Sequence, residues 1–141
     1  MFGNILLAFK FSTAGLYALE KSIDLARTHG AKLHVFHALD YQLQNRDKTD
    51  PELLNICKEI DRRFEVELKP MLGGLDSVSF DYFPADPALE VCKIAAAVVA
   101  DLIIIGCHQP FEKISMGRID YVGMTILEKA PCPVMLVPFT D

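Results

Sequence analysis

Residues 86–106, DPALEVCKIAAAVVADLIIIG, contain a helix start, a helix and a buried strand in direct succession. Asp86 followed by Pro87 supplies a capping carboxylate and then a residue whose φ is already helical. The alanine-rich stretch that follows predicts a helix over 88–99, whose small side chains allow close approach to a sheet. The unbroken apolar run 102–105 predicts a strand that is covered on both faces. A helix followed by such a strand is half of a βαβ unit, from which parallel sheets are built.

The same alternation of strands and helices continues on both sides of this segment. Apolar or alternating runs predict four more strands, over 4–9, 32–39, 78–83 and 134–137. Because the third of these alternates, we expect it at an edge of the sheet. Further helices are predicted from Ser12 to Gly30, from Pro51 to about Leu68, and over 119–129. Together these elements indicate a single α/β domain over 1–141 with one open parallel sheet and right-handed crossovers.

Composition excludes several classes of partner. The chain has 14 Lys and Arg residues scattered among 19 Asp and Glu residues, so no basic surface for nucleic acid is expected. No run approaches 18 apolar residues and the N-terminus does not resemble a signal peptide, which predicts a cytoplasmic protein without a membrane partner. The four cysteines lack the spacing of metal ligands, so we expect reduced thiols and no metal site.

Candidate functional residues follow the strands, because ligands of open parallel sheets bind at the carboxyl ends of the strands. These positions lie within 10–13, 38–41 and the predicted loop 106–117. Lys10 has two interpretations, a cation that holds an anionic ligand or a solvated lysine that ends a strand. Cys107 and His108 suggest a nucleophile pair, but neighbours on a loop rarely point at one another and no acid is placed to orient the imidazole. We therefore expect that the protein is not an enzyme and has no catalytic residues. The alternative is a hydrolase or transferase that uses Cys107 or His108.

Four segments together resemble the universal stress protein family: NILLAFKFS, AKLHVFHALD, ADPALEVCKIAAAVVADLIIIGCHQ and APCPVMLVP, at 4–12, 31–40, 85–109 and 130–138. The resemblance covers nearly the whole chain. It implies a Rossmann-like fold of the adenine nucleotide alpha hydrolase kind, with strand order 3-2-1-4-5 and helices on both faces. It also implies a role in stress response, homodimers, and, in many members, bound ATP.

The ATP-binding members of that family carry an acid at the end of the first strand and a glycine-rich phosphate loop. Here Lys10 stands in place of the acid, Gly106 matches the first loop glycine, and Gln109 replaces the second. GCHQPF at 106–111 is similar to the UspA-like branch, which generally lacks the ATP motif. The resemblance therefore implies no cofactor; the alternative is ATP in a variant loop formed by Gly106, Gly117 and Gly123. The candidate nucleotide positions are Lys10, Ala38, Gly106, His108, Gln109, Gly117 and Gly123.

The last strand is the candidate dimer interface. The strand order implied by the resemblance puts it at an edge, and an exposed apolar edge favours association. We therefore expect a homodimer through this strand, as in universal stress proteins of similar sequence; the alternative is an edge covered only by the chain's own C-terminal residues. The family role also leaves room for a protein partner that the sequence does not identify. The interface residues are Val134, Met135, Leu136 and Val137.

Overall fold

A five-stranded parallel sheet forms the centre of the molecule. The computed structural model describes residues 2–108 and 121–139. The strands are β1 (Asn4–Ala8), β2 (Lys32–Leu39), β3 (Val78–Pro84), β4 (Leu102–His108) and β5 (Val134–Phe139). Their order in the sheet is β3-β2-β1-β4-β5, which confirms the predicted order and places β3 and β5 at the edges.

Helices cover both faces of the sheet, and local capping sets where they begin. Ser12 begins the first helix, since its hydroxyl accepts a hydrogen bond from the Gly15 N–H. The same helix ends at Gly30, whose φ of 63° is the left-handed conformation that glycine tolerates best. Asp86 caps the fourth helix by accepting from the Leu89 N–H. The helices are α1 (Thr13–His29), α2 (Pro51–Arg63), α3 (Lys69–Leu72), α4 (Pro87–Ala97) and α5 (Tyr121–Lys129).

The sheet separates two hydrophobic cores. On one face, Ile5 and Leu7 of β1 pack with α1 and with Leu68 and Leu72 near α3. On the other face, Leu6 packs with residues of α4 and α5. This alternation explains why β1 is an unbroken apolar run, because both of its faces are buried.

Several predicted boundaries are wrong by a few residues, and two of them have a clear cause in hydrogen bonding. The helix that begins at Pro51 does not end near Leu68: it passes through a π-helical turn at Phe64–Leu68 and continues as α3. In that turn the Lys69 N–H donates to the Phe64 carbonyl, five residues back. Pro70 follows directly and has no N–H with which to continue regular α-helical bonding, which accounts for the irregularity there.

The fourth strand is also longer than predicted. It continues past Ile105 to His108, so Gly106, Cys107 and His108 are strand residues and not part of a loop. The reason is pairing with β5, which itself extends to Phe139 and aligns with β4 up to His108. Among the described residues, no helix is long and apolar enough to cross a membrane. The cytoplasmic location stays a prediction.

Candidate functional site

A cavity of about 100 Å³ lies at the carboxyl ends of the central strands. Three groups of residues line it. Its walls come from strand positions on the α4–α5 face and from those two helices, and its mouth from the turn between β1 and α1. The wall residues are Ala8, Phe36, Ala38, Ile105, Pro87, Val91 and Val122, and those at the mouth include Lys10, Ser12, Ala14 and Gly15.

The cavity brings together three of the predicted site residues, Lys10, Ala38 and Gly106, from three different strand ends. Gly123 is buried in α5, and it is its neighbour Val122 that lines the cavity. His108 ends β4. Gln109 and Gly117 lie outside the described residues.

The cavity wall is apolar and its mouth is basic. Of the described residues that line it, Lys10 alone carries a charge, and its side chain is exposed. Two acids close in sequence to the lining already accept hydrogen bonds as caps: Asp40 from the Gln42 N–H, and Asp86 from the Leu89 N–H. A third, Glu90, pairs with Lys93. Such a site favours a ligand with an apolar body and is poorly equipped to accept hydrogen bonds from a sugar.

Gly106 has a packing role as well as its place beside the cavity. A Cβ at this position would lie 2.8 Å from the Ala14 carbonyl oxygen and 3.2 Å from the Ala18 Cβ. The end of β4 therefore approaches α1 too closely for any side chain. This close approach accounts for a glycine here without a phosphate, so the match of Gly106 to a phosphate loop does not by itself indicate a nucleotide.

His37 holds the backbone that leads to Lys10. Its ring Nδ1–H donates to the Phe9 carbonyl oxygen over 3.0 Å, since a carbonyl only accepts. The imidazole also packs edge-on against Phe11, with the ring centroids 5.0 Å apart. Burial lowers the pKa of His37 below its ordinary value, which favours the neutral ring. The turn that carries Lys10 is thus anchored on the opposite face of the sheet.

The described residues contain little that is typical of catalysis or of a metal site. No group of three or more His, Cys, Asp or Glu side chains within residues 2–108 and 121–139 is arranged to hold a metal ion. The cysteines are free thiols, and burial raises the pKa of Cys92 and Cys132. A raised pKa disfavours the thiolate, which is the reactive form.

Within residues 2–108 and 121–139, no strand pairs with β5 on the side that faces away from β4. Ile103 donates its N–H to the Pro133 carbonyl, and Ile103 is aligned with Val134. Backbone groups alternate in direction along a strand, so those of Met135 face β4 and those of Val134 and Leu136 face outward. Position 138, which also faces outward, is a proline and lacks an N–H, as is usual on edge strands.

The model of the universal stress protein family matches residues 1–138 of the chain. The chain belongs to the universal stress protein family. No curated protein matches it at a significant level. The fold and the family that the sequence segments resemble are therefore both confirmed.

Solved structures similar to this universal stress protein share its fold over nearly the whole chain. The hypothetical protein MJ0577 has a TM-score of 0.71 and 19% identity, with 99% of this chain and 97% of that one covered. A universal stress protein family member from Burkholderia pseudomallei has a TM-score of 0.64 and 22% identity, with 96% of both chains covered. A universal stress protein from Archaeoglobus fulgidus, solved in complex with dAMP, has a TM-score of 0.65 and 16% identity, covering 97% and 98%.

The residues that the sequence analysis missed are the apolar wall residues of the cavity. Phe36, Val91 and Val122 come from β2, α4 and α5, and each belongs to a run that packs in the core. The sequence signal for these residues was their position within their elements. Phe36, Val91 and Val122 each lie near the end of the element that faces the carboxyl edge of the sheet, and such positions are candidates for a ligand site in this class of fold.

Proposed function

We propose that this universal stress protein is a non-catalytic homodimer of the UspA-like branch that acts by binding other molecules and does not hold ATP in the manner of the ATP-binding members. The observation that carries this proposal is the exposed ammonium group of Lys10 at the mouth of the cavity. An ammonium group donates hydrogen bonds and accepts none. A nucleotide bound here would therefore lose the hydrogen-bond acceptor that an acid provides at this position in the family's ATP-binding members.

Isothermal titration calorimetry with Mg-ATP tests this proposal. We expect no stoichiometric binding to the wild-type protein at protein concentrations of about 50 μM. Stoichiometric binding of Mg-ATP with a Kd below about 10 μM, equivalent to roughly −7 kcal/mol, would contradict the proposal.

The edge of β5 supports the dimeric part of the proposal. The backbone groups of Val134 and Leu136 face away from β4, and no described strand pairs with them. The side chains of β5 are apolar. A groove beside this edge is lined by Tyr17 and Leu25 of α1 together with Met135. Backbone pairing of β5 with the same strand of a second copy would remove an exposed edge, which otherwise favours uncontrolled association.

Two proline variants distinguish pairing at this edge from simple loss of stability. Leu136→Pro removes an outward N–H, whereas Met135→Pro removes an N–H that faces β4. In sedimentation equilibrium we expect a dimer for the wild type and a folded monomer for Leu136→Pro. Met135→Pro should instead lose thermal stability. A monomeric wild-type protein, or a Leu136→Pro variant as dimeric as the wild type, would refute the interface.

A nucleotide-binding switch is the second candidate function, in which a variant loop containing Gly117 would hold ATP or AMP. The observation in its favour is that Lys10, Ala38 and Gly106 line one cavity, and that the Archaeoglobus fulgidus relative was solved with dAMP. Mass spectrometry of small molecules released from the purified, denatured protein separates the candidates. Retained nucleotide in stoichiometric amount supports the switch, and its absence supports the first proposal.

A further inference from the structure

The cavity at the strand ends can hold a ring, and the described residues offer few polar partners deep inside it. Its wall residues come from β1, β2, β4, α4 and α5 and are all uncharged and apolar. An apolar protein cavity of about 150 Å³ binds benzene. The cavity here is smaller, at about 100 Å³, but it is open at its mouth, so a single small ring can enter it with its substituent directed outward.

The polar partners are concentrated at the mouth. Ser12 lies there, but its hydroxyl already accepts from the Gly15 N–H over 3.0 Å, so it is engaged in capping α1. Lys10 has no carboxylate within ion-pair distance among the described residues. The first turn of α1 contains no acidic residue, so the partial positive charge of the helix start adds to that of Lys10.

The backbone that carries Lys10 is held on both sides, so the position of its Cα is well defined. The Phe9 N–H donates to the Phe36 carbonyl over 2.8 Å, and the Phe9 carbonyl accepts from His37 over 3.0 Å. Phe9 itself is buried. Binding of a ligand to Lys10 therefore costs little backbone entropy, because this backbone is already ordered. The lysine side chain itself must still become ordered.

From this arrangement we infer that the cavity binds a small organic monoanion, an aromatic carboxylate whose ring fills the apolar wall and whose carboxylate meets Lys10 at the mouth. The inference rests on the proposed function, since it assigns a ligand to the same site that the proposal denies to ATP. One ammonium group and one helix start match a single negative charge. They leave most of the charge of a triphosphate without a partner, and no described side chain of the wall can accept a hydrogen bond from a ribose hydroxyl group.

Nuclear magnetic resonance titration of the ¹⁵N-labelled protein with benzoate and with benzamide tests the ligand class. The two probes have the same ring, but only benzoate is charged. We expect benzoate to shift the amide signals of Ala38 and Gly106, and benzamide to bind at least about tenfold more weakly, since charged hydrogen-bond partners add roughly that factor. Equal affinity for the two probes, or shifts confined to residues away from the cavity, would overturn the inference.

Two lysine variants test the role of Lys10. Lys10→Gln should weaken benzoate binding about tenfold, equivalent to about 1.4 kcal/mol, and leave benzamide binding unchanged. Lys32→Gln, at the other end of the sheet, should leave both unchanged. Both lysines are exposed, so their replacement is not expected to unfold the protein, and the spectra report this directly. Unchanged benzoate affinity in Lys10→Gln would overturn the inference.

The results also separate this inference from the proposed function. A dimer that binds neither Mg-ATP nor benzoate overturns the inference and leaves the proposed function in place. A protein that binds Mg-ATP tightly and stoichiometrically overturns the proposed function and, with it, the inference. Selective binding of benzoate, lost in Lys10→Gln, in a protein that does not bind Mg-ATP supports both.

Discussion

Replacing Gly15 by alanine should destabilise the protein, although alanine is the better helix former. Gly15 lies in the first turn of α1. In an ordinary helix the change from glycine to alanine increases stability by about 1 kcal/mol. Here the new Cβ would overlap the Lys10 carbonyl oxygen and lie 2.9 Å from the Lys10 carbonyl carbon. Both atoms belong to the backbone of the turn, so the overlap is not relieved by rotating a side chain.

The magnitude follows from what has to move. Displacing the first turn of α1 weakens the 3.0 Å hydrogen bond from the Gly15 N–H to Ser12, a cap worth about 1 kcal/mol. Overpacking a well-filled region costs a further 1–3 kcal/mol or so. After the gain in helix propensity is subtracted, we expect Gly15→Ala to lower the free energy of unfolding by about 2 kcal/mol.

Two other glycines provide a graded comparison. Gly106→Ala places a Cβ 2.8 Å from the Ala14 carbonyl oxygen, a less severe overlap, and should cost about 1–2 kcal/mol. Gly30→Ala meets nothing within 4 Å, so it should cost only the roughly 1 kcal/mol of a left-handed φ. Urea unfolding at one protein concentration measures all three, since dimerisation would make stability depend on concentration. A stabilised Gly15→Ala variant would refute the reasoning.

Two more predictions concern β3 and the half-buried histidines. Tyr82→Phe removes the hydroxyl that donates to Asp61 Oδ1 over 2.6 Å, so the free energy of unfolding measured in urea should fall by about 1 kcal/mol. Tyr121→Phe is the control: Tyr121 is 80% exposed, and its replacement should leave the free energy of unfolding unchanged. Burial lowers the pKa values of His34 and His37 below 6.5. As the pH falls, the unfolded chain therefore binds protons at these histidines at a higher pH than the folded protein does. Their contribution to stability is therefore present above pH 6.5 or so and is lost as the pH falls through the lowered pKa values. Thermal unfolding measured from pH 8 to pH 5 reports this loss of stability. The double variant His34→Gln/His37→Gln should lose less stability over this range than the wild type does. An equal loss in the wild type and the double variant would contradict the assignment to these histidines.

Features that depend on near neighbours in the chain were predictable from the sequence. The caps at Ser12 and Asp86 and the glycine stop at Gly30 are where the residue types indicate, because each involves contacts within a few residues. The positions of the strands follow from their apolar runs for the same reason. Strand order required the family resemblance, since neither periodicity nor composition distinguishes the possible neighbours of a buried strand.

Features that depend on residues far apart in the chain required the tertiary structure. The length of β4 is set by its pairing with β5, and the need for glycine at Gly15 and Gly106 is set by how closely α1 approaches its neighbours. The cavity is the clearest case, because its wall combines Phe36, Val91 and Val122 from three elements that are not adjacent in sequence. Lys10 was recognisable in the sequence as a charge at the end of a strand. Only the folded chain places that charge at the mouth of an apolar cavity, because packing brings distant segments to one edge of the sheet.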